Sequence, residues 1–423
     1  MDHASKKLFA ALLACALLLL AGAPGAWADV KIDAKNFPDA NFRRWVKENI
    51  AGGKDILTDA QRAAVKEINL DMDEKVASLK GIEHFTALTA LNCRHNALSE
   101  LDLSKNGALK SLVCSGNSLK KLDLSGNPAL EALECDYVNL TELDLSHNPA
   151  LKSLDCIQNH LTELDLSKNP ALEELICFEN GLTKLHLSKN WALKSLDCSK
   201  NELTKLDLSG NAALEMLHCS DNELTKLDLS HNPALKELSC EYNKLARLDL
   251  SKNAALEELF CFDNELTALD LPKNGALKLL SCSDNKLTKL DLSKAPALED
   301  LYCGANRIAA LDLSKNGKLS EASLPETAEA ALPGGGKIAM KDFKLAKGKD
   351  GKFRLDLSKY AGKIGKVSAV LDDEMEEDIE VKPVKGVYAF EPFDGHLAVS
   401  CKLGGGAELK LALFFEKEEE EEE

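Results

Sequence analysis

Cysteine is the residue here whose type and spacing could carry chemistry. Eleven stand in strict register, Cys93, Cys114, Cys135, Cys156, Cys177, Cys198, Cys219, Cys240, Cys261, Cys282 and Cys303, each 21 residues from the next. Thiols can bridge, ligate metal or act as nucleophiles. Zinc sites use clustered C-x-x-C or Cys/His spacings, which are absent. If each cysteine sits on its own strand of a stack, equivalent Cβ atoms lie near the ~4.8 Å strand spacing. A bridge prefers about 3.8 Å, and an odd number of cysteines leaves one over. A catalytic thiol needs a nearby base. His218 adjoins Cys219 in sequence, but a strand sends neighbouring side chains to opposite faces. His147 and His231 share a repeat position four units apart. No G-x-S-x-G, H-E-x-x-H or P-loop occurs. The expectation is a chain that is not an enzyme and carries no metal and no cofactor. Its cysteines serve as small buried apolar residues.

The elements that hold them follow from the unit L-x-x-L-x-C-x-x-N-x-L-x-x-L-D-L-S-x-N-x-x. Eleven copies at a fixed period specify a leucine-rich repeat solenoid, an α/β architecture with a parallel β-sheet on the concave face. In "SLVCS" the strand period of two turns Leu112 and Cys114 inward and Ser111, Val113 and Ser115 outward. The Asn three residues after each Cys, as at Asn117, Asn159, Asn180, Asn201 and Asn222, can satisfy backbone groups where the chain leaves the strand. Val138 interrupts that series. A second Asn closes "LDLSKN", and Ala295 interrupts it.

A unit of 21 residues with Cys on the strand resembles the cysteine-type repeats of internalin-like bacterial surface proteins, those of the internalin J kind. The resemblance covers about residues 69–330. It implies a curved solenoid with a cysteine ladder, and attachment or partner binding at the cell surface. Members of that kind end in a sortase-anchored tail. "LPETA" at Leu324–Ala328 lies mid-chain with Ala for the final Gly, and no apolar span with a basic tail follows. Leu324 reads instead as the next register position after Cys303.

The chain divides by pattern. Residues 1–28 read as a signal peptide, with Lys6 and Lys7, an apolar run from Leu8 to Leu20, and cleavage after Ala28 in Ala26-Trp27-Ala28. "LLAC" offers lipidation at Cys15 as the alternative. Residues 29–92 form a helical N-terminal cap. One helix should bury Phe42, Trp45, Val46 and Ile50. A second should open on a Thr58/Gln61 capping box and bury Val65 and Ile68. The "AGGKD" between them lacks calcium ligands. The solenoid occupies 93–331. Six β-like runs over 332–415 suggest a small β-sandwich, with Cys401 in its core and "DDEMEED" at 372–378 as a solvated acidic turn. Residues 416–423 are an acidic, disordered tail. No segment after the signal is apolar enough to cross a membrane. The net charge of −17 argues against nucleic acid as partner.

Inward positions are nearly constant, whereas those just before and after each Cys vary. They form the concave surface and include Glu134, Asp136, Asp155, Ile157, Ile176, Phe178, Asp197, His218, Glu241, Phe260, Phe262 and Tyr302, with Tyr137 one residue further on. Exposed apolar residues beside carboxylates suit a partner site. The expected function is an exported bacterial protein that grips a protein or glycan through its concave face, in adhesion or host/cell-surface interaction. The alternative is a structural spacer of the envelope without a specific ligand.

Overall fold

The computed structural model describes residues 29–70, 75–271, 273, 275–325 and 328–332. Beyond these it describes Met340 and the strand backbone within 337–414. The signal segment with Cys15, the acidic turn at 372–378, the tail at 416–423 and the side chain of Cys401 lie outside the described residues. The chain forms two compact units, Met1–Leu130 and Glu131–Glu423.

In the first unit, β1 (Val30–Lys31) pairs antiparallel with β2 (Ile56–Leu57). Helix α1 (Ala40–Asn49) starts at Asp39, whose carboxylate accepts the Asn41 and Phe42 amides and so satisfies donors that the first turn leaves free. Phe42 and Val46 are fully buried, with Phe37 packed edge-on to Phe42 at 5.8 Å. Trp45 and Ile50 are only half-buried. Helix α2 (Asp59–Ala64) carries the Thr58/Gln61 capping box. Ile68 is buried, but on β3 (Glu67–Asn69) rather than on the helix, and Val65 is half-buried where the helix ends. Strand β3 pairs in parallel with β4 (Ala90–Asn92), and β4 with β5 (Ser111–Val113). The sheet of this unit therefore begins one coil before the first cysteine.

The second unit stacks three-residue strands, each ending on the residue before its Leu/Cys register position. They run from Ala132–Glu134 and Ser153–Asp155 through to Asp300–Tyr302 and Glu321–Ser323. All pair in parallel and in register, Leu opposite Leu except in the last pair, where Leu301 faces Ala322. Past the repeats, Glu321–Ser323 pairs in parallel with Glu408–Phe414, which runs antiparallel to Gly395–Lys402. In each coil the Leu and Cys of L-x-C have essentially no exposure, and Leu324 takes the place of Cys in its coil. All eleven cysteines are free thiols, and burial pushes the Cys93 and Cys282 thiols up to about 12. Among the described residues no cluster of His, Cys, Asp or Glu could hold a metal ion.

The asparagines do the work that the strand ends require. Asn201 Nδ2 donates to the Cys177, Cys198 and Ser199 carbonyls at 3.0, 3.0 and 3.1 Å, and its Oδ1 accepts the Leu182 amide at 3.0 Å. One side chain thus satisfies four backbone groups on two coils. The second series works through its donor alone: Asn211 Nδ2 donates to the Leu187 and Asn190 carbonyls, while its Oδ1 is buried without a hydrogen-bond partner. At Val138 the amide is replaced by a fully buried apolar side chain. There the chain turns through two left-handed residues, Tyr137 and Asn139, instead of one. At Ala295 the backbone turn survives, because Leu298 N still donates to the Ala295 carbonyl, which also accepts from Asn316.

One conformation recurs without exception. The residue two after each Cys has a positive φ in all eleven coils, from His95 and Gly116 to Asp284 and Ala305. This left-handed turn folds the following Asn back onto the strand-end carbonyls. It costs L-residues roughly 1–2 kcal/mol each, which the Asn bonds offset. At Gly116 a Cβ would meet the His95 ring at 2.4 Å, so a larger residue there would have to displace that exposed side chain.

Candidate functional site

Outward side chains from the second unit's strands form one face, and its rows are set by the ladder beneath. The backbone bonds run past each strand end: Cys198 N donates to the His218 carbonyl at 2.9 Å and Lys200 N to the Ser220 carbonyl at 2.9 Å. Residues one before, one after and two after each Cys are therefore held in three straight rows. The structure places all the residues expected from sequence along these rows. Glu134 and Tyr137 are exposed, while Asp136, Asp155, Ile157, Ile176, Phe178, Asp197, His218, Glu241, Phe260, Phe262 and Tyr302 are half-buried.

Two apolar groups stand out. Ile176 and Phe178 flank Cys177, with Asp155 and Asp197 on the strands either side of Ile176. Phe260 and Phe262 flank Cys261, with Ser239 and Ser281 either side of Phe260. Cys177 and Cys261 are 84 residues apart, four units, which at ~4.8 Å per strand is about 19 Å. Tyr302 lies two coils beyond Phe260 and donates its hydroxyl to Glu321 Oε1 at 3.1 Å. Burial and that carboxylate push its phenol up to about 12.

The charged groups are coupled across coils. Asp136 and Asp155 both accept the Ile157 amide, at 3.2 and 3.3 Å. Burial first, and then its hydrogen bond and repulsion with Asp136, push the Asp155 carboxyl up to about 7. His218 Nε2 lies 2.9 Å from Glu237 Oε1. Burial raises the Glu241 carboxyl, and its Oε2 is enclosed without a hydrogen-bond partner. This is a face of apolar anchors set among carboxylates, several of which are held partly out of water.

Four further residues belong to the face. Lys200 lays its ammonium 5.2 Å from the centre of the Phe178 ring. Tyr242, 53% exposed, meets Phe262 edge-on with centroids 5.2 Å apart. Asp263 and Asp284 stand in the same left-handed row. Their sequence signal is the position just before the repeated Asn. The contacts run diagonally, 20 or 22 residues apart, so reading down a single column does not reveal them.

Comparison with known proteins agrees with this architecture. The family described as the endo-beta-N-acetylglucosaminidase EndoS LRR domain matches residues 37–169. No curated protein matches. Among solved structures, the chain is similar to the functional domain of InlJ from Listeria monocytogenes, which includes a cysteine ladder. That match has 26% identity and a TM-score of 0.56, over 93% of this chain and 100% of that one. An internalin, InlF, from the same species matches at 22% identity and TM-score 0.63, over 72% of this chain and 93% of that one, and shows the fold alone. One chain of the LRIM1/APL1C complex matches at 26% identity and TM-score 0.54, over 63% of this chain and 52% of that one. The chain thus has a leucine-rich repeat fold with a column of buried cysteines, similar to that of InlJ, and that fold supports a role in protein interaction.

Proposed function

We propose that this chain, built on the cysteine-ladder repeat fold, is an exported binding protein that grips a protein or glycan partner through the outward face of its strands, in adhesion or another cell-surface interaction. The observation that carries the reading is the contrast within single strands. Leu175 and Cys177 are fully buried in the same short segment that presents Ile176 and Phe178 to solvent. The apolar groups at Cys177 and Cys261, with Tyr302, are the anchors. Asp155, Asp197 and Glu241 beside them, with Glu134, Asp136, Tyr137 and Ile157 at one end, favour a basic or mixed-charge partner and salt-sensitive association. A span of about 19 Å between anchors suits a macromolecule rather than a metabolite. Export rests on the signal segment, with the mature chain beginning at Asp29. N-terminal sequencing of secreted material should return Asp29, and a lipid-blocked Cys15 would make the protein a lipoprotein. Screening the chain from Asp29 against arrays of surface proteins and glycans tests the binding role. A specific ligand supports it, and a chain that captures none from either array is the spacer.

A further inference from the structure

The two apolar groups sit in duplicated coils that differ in one instructive way. "LEELICFEN" around Cys177 and "LEELFCFDN" around Cys261 share the face pattern Glu, apolar, Phe, acid, which no other coil has. Each Phe is followed on the next coil by a serine, Ser199 or Ser283, so neither ring is walled off on that side. Twenty-two residues after each Phe comes a left-handed residue with nearly the same backbone, Lys200 at φ 50° and Asp284 at φ 52°. Over Phe178 the protein supplies its own cation, Lys200, and Glu179 balances its charge. Over Phe262 the cation is exchanged for Asp284. The preceding coil adds Glu241 and Tyr242 where the first copy has Ile157 and Gln158. In the two rows after Cys the formal charge around the ring passes from zero to −3; with the row before Cys, where Asp155 and Asp197 flank the first copy and Ser239 and Ser281 the second, it passes from −2 to −3.

Among the described residues no cation takes over Phe262 the place that Lys200 takes over Phe178, although His218 and Ser220 favour the ionised Glu241 from the preceding coil. Glu241 keeps an enclosed carboxylate oxygen with no partner, and Asp284 is raised by burial and by repulsion from Asp263. An aromatic ring edged by carboxylates attracts a cation to its face. We propose that Phe262, ringed by Glu241, Asp263 and Asp284 with Tyr242 at its edge, is a subsite for one lysine or arginine side chain of the partner, which takes the place that Lys200 takes over Phe178. The inference rests on the reading that the outward face binds, and adds what it binds there: a basic side chain on a proteinaceous partner rather than a neutral sugar.

Tetralysine amide, titrated by calorimetry at low salt into the chain from Asp29, tests it. The parent should bind one equivalent. Asp284→Lys, which places a resident cation over Phe262, should weaken binding at least tenfold, and Asp284→Asn severalfold. Glu100→Lys makes the same charge change at an exposed position of the first unit and should stay within about twofold of the parent, as general charge effects at a screened surface are small. Lys200→Asp should raise the stoichiometry toward two. The proposal is overturned if tetralysine does not bind, or if both Asp284 variants bind it no more weakly than Glu100→Lys. The face reading fails separately, on whether an identified partner ignores removal of Phe260 and Phe262.

Discussion

The inner and outer sides of the same strands obey different rules. Inside, one Leu, one Cys and one Asn recur coil after coil, because each must fit the same space against an identical neighbour. Outside, the row after Cys runs Asp136, Ile157, Phe178, Ser199, Ser220, Glu241, Phe262, Ser283. No stacking requirement accounts for that variety. If the outer face binds as proposed, most stability is stored on one side and specificity on the other, and substitutions should fall largely into two classes.

The largest stability effect belongs to the asparagine column. Asn201→Ala leaves three carbonyls and one amide, buried or nearly so, short of a partner. It should cost about 3–4 kcal/mol in denaturant unfolding. A loss below about 1 kcal/mol would mean that water replaces the amide. Next comes the cysteine column: Cys198→Ser should cost roughly 1–3 kcal/mol by burying a hydroxyl in an apolar site. The native thiols should react slowly with thiol reagents, and Cys-to-Cys bridges found by mass spectrometry would contradict the buried-thiol account.

Asp155 lets pH probe the outer side. Its carboxyl is raised in the folded state, so the fold holds the proton more tightly than the unfolded chain does. Ionisation is therefore penalised above about pH 7, and the penalty fades as pH falls toward the ordinary carboxylate range. The melting temperature should rise on going from pH 8 to pH 5.5. The underlying gain is about 1–2 kcal/mol once half-exposure to water is allowed for. Asp155→Asn should flatten that profile, with Asp136 counted in the same titration.

The smallest effect is electrostatic. Four before each Cys from Cys114 on, charge alternates from coil to coil, pairing Glu131 with Lys152, Glu173 with Lys194, Glu215 with Lys236 and Glu257 with Lys278 at 2.6–2.7 Å. These pairs are largely exposed, so Lys236→Glu should lower the melting temperature only slightly, and less in high salt.

Much of the fold was legible because repetition amplifies it. The period, the inward Leu and Cys, and the hydrogen-bonding role of Asn117 and its kin can all be read from one column at a time. What the columns hide is what crosses them. The left-handed row is invisible because its residues, from Lys200 to Tyr242, share a backbone angle and no chemistry. The alternating Glu/Lys row has a period of two coils and disappears when every unit is averaged. Lys200 over Phe178 and Tyr242 against Phe262 are diagonal contacts, fixed by side-chain reach rather than by spacing. Ile68 was legible as buried, but its strand was not, since three residues between a helix end and a loop carry no periodicity.

The central claim is that the outer face binds and contributes little to folding. The direct measurement is the affinity of the partner, once captured, for the double variant Phe260→Ala/Phe262→Ala, alongside its melting temperature and against Phe178→Ala. The account predicts a loss of at least tenfold in affinity for the double variant, at about 2 kcal/mol or more for buried aromatic anchors, with little change in melting temperature. Undiminished affinity in both variants would contradict it and move the binding site to the strands beyond residue 332.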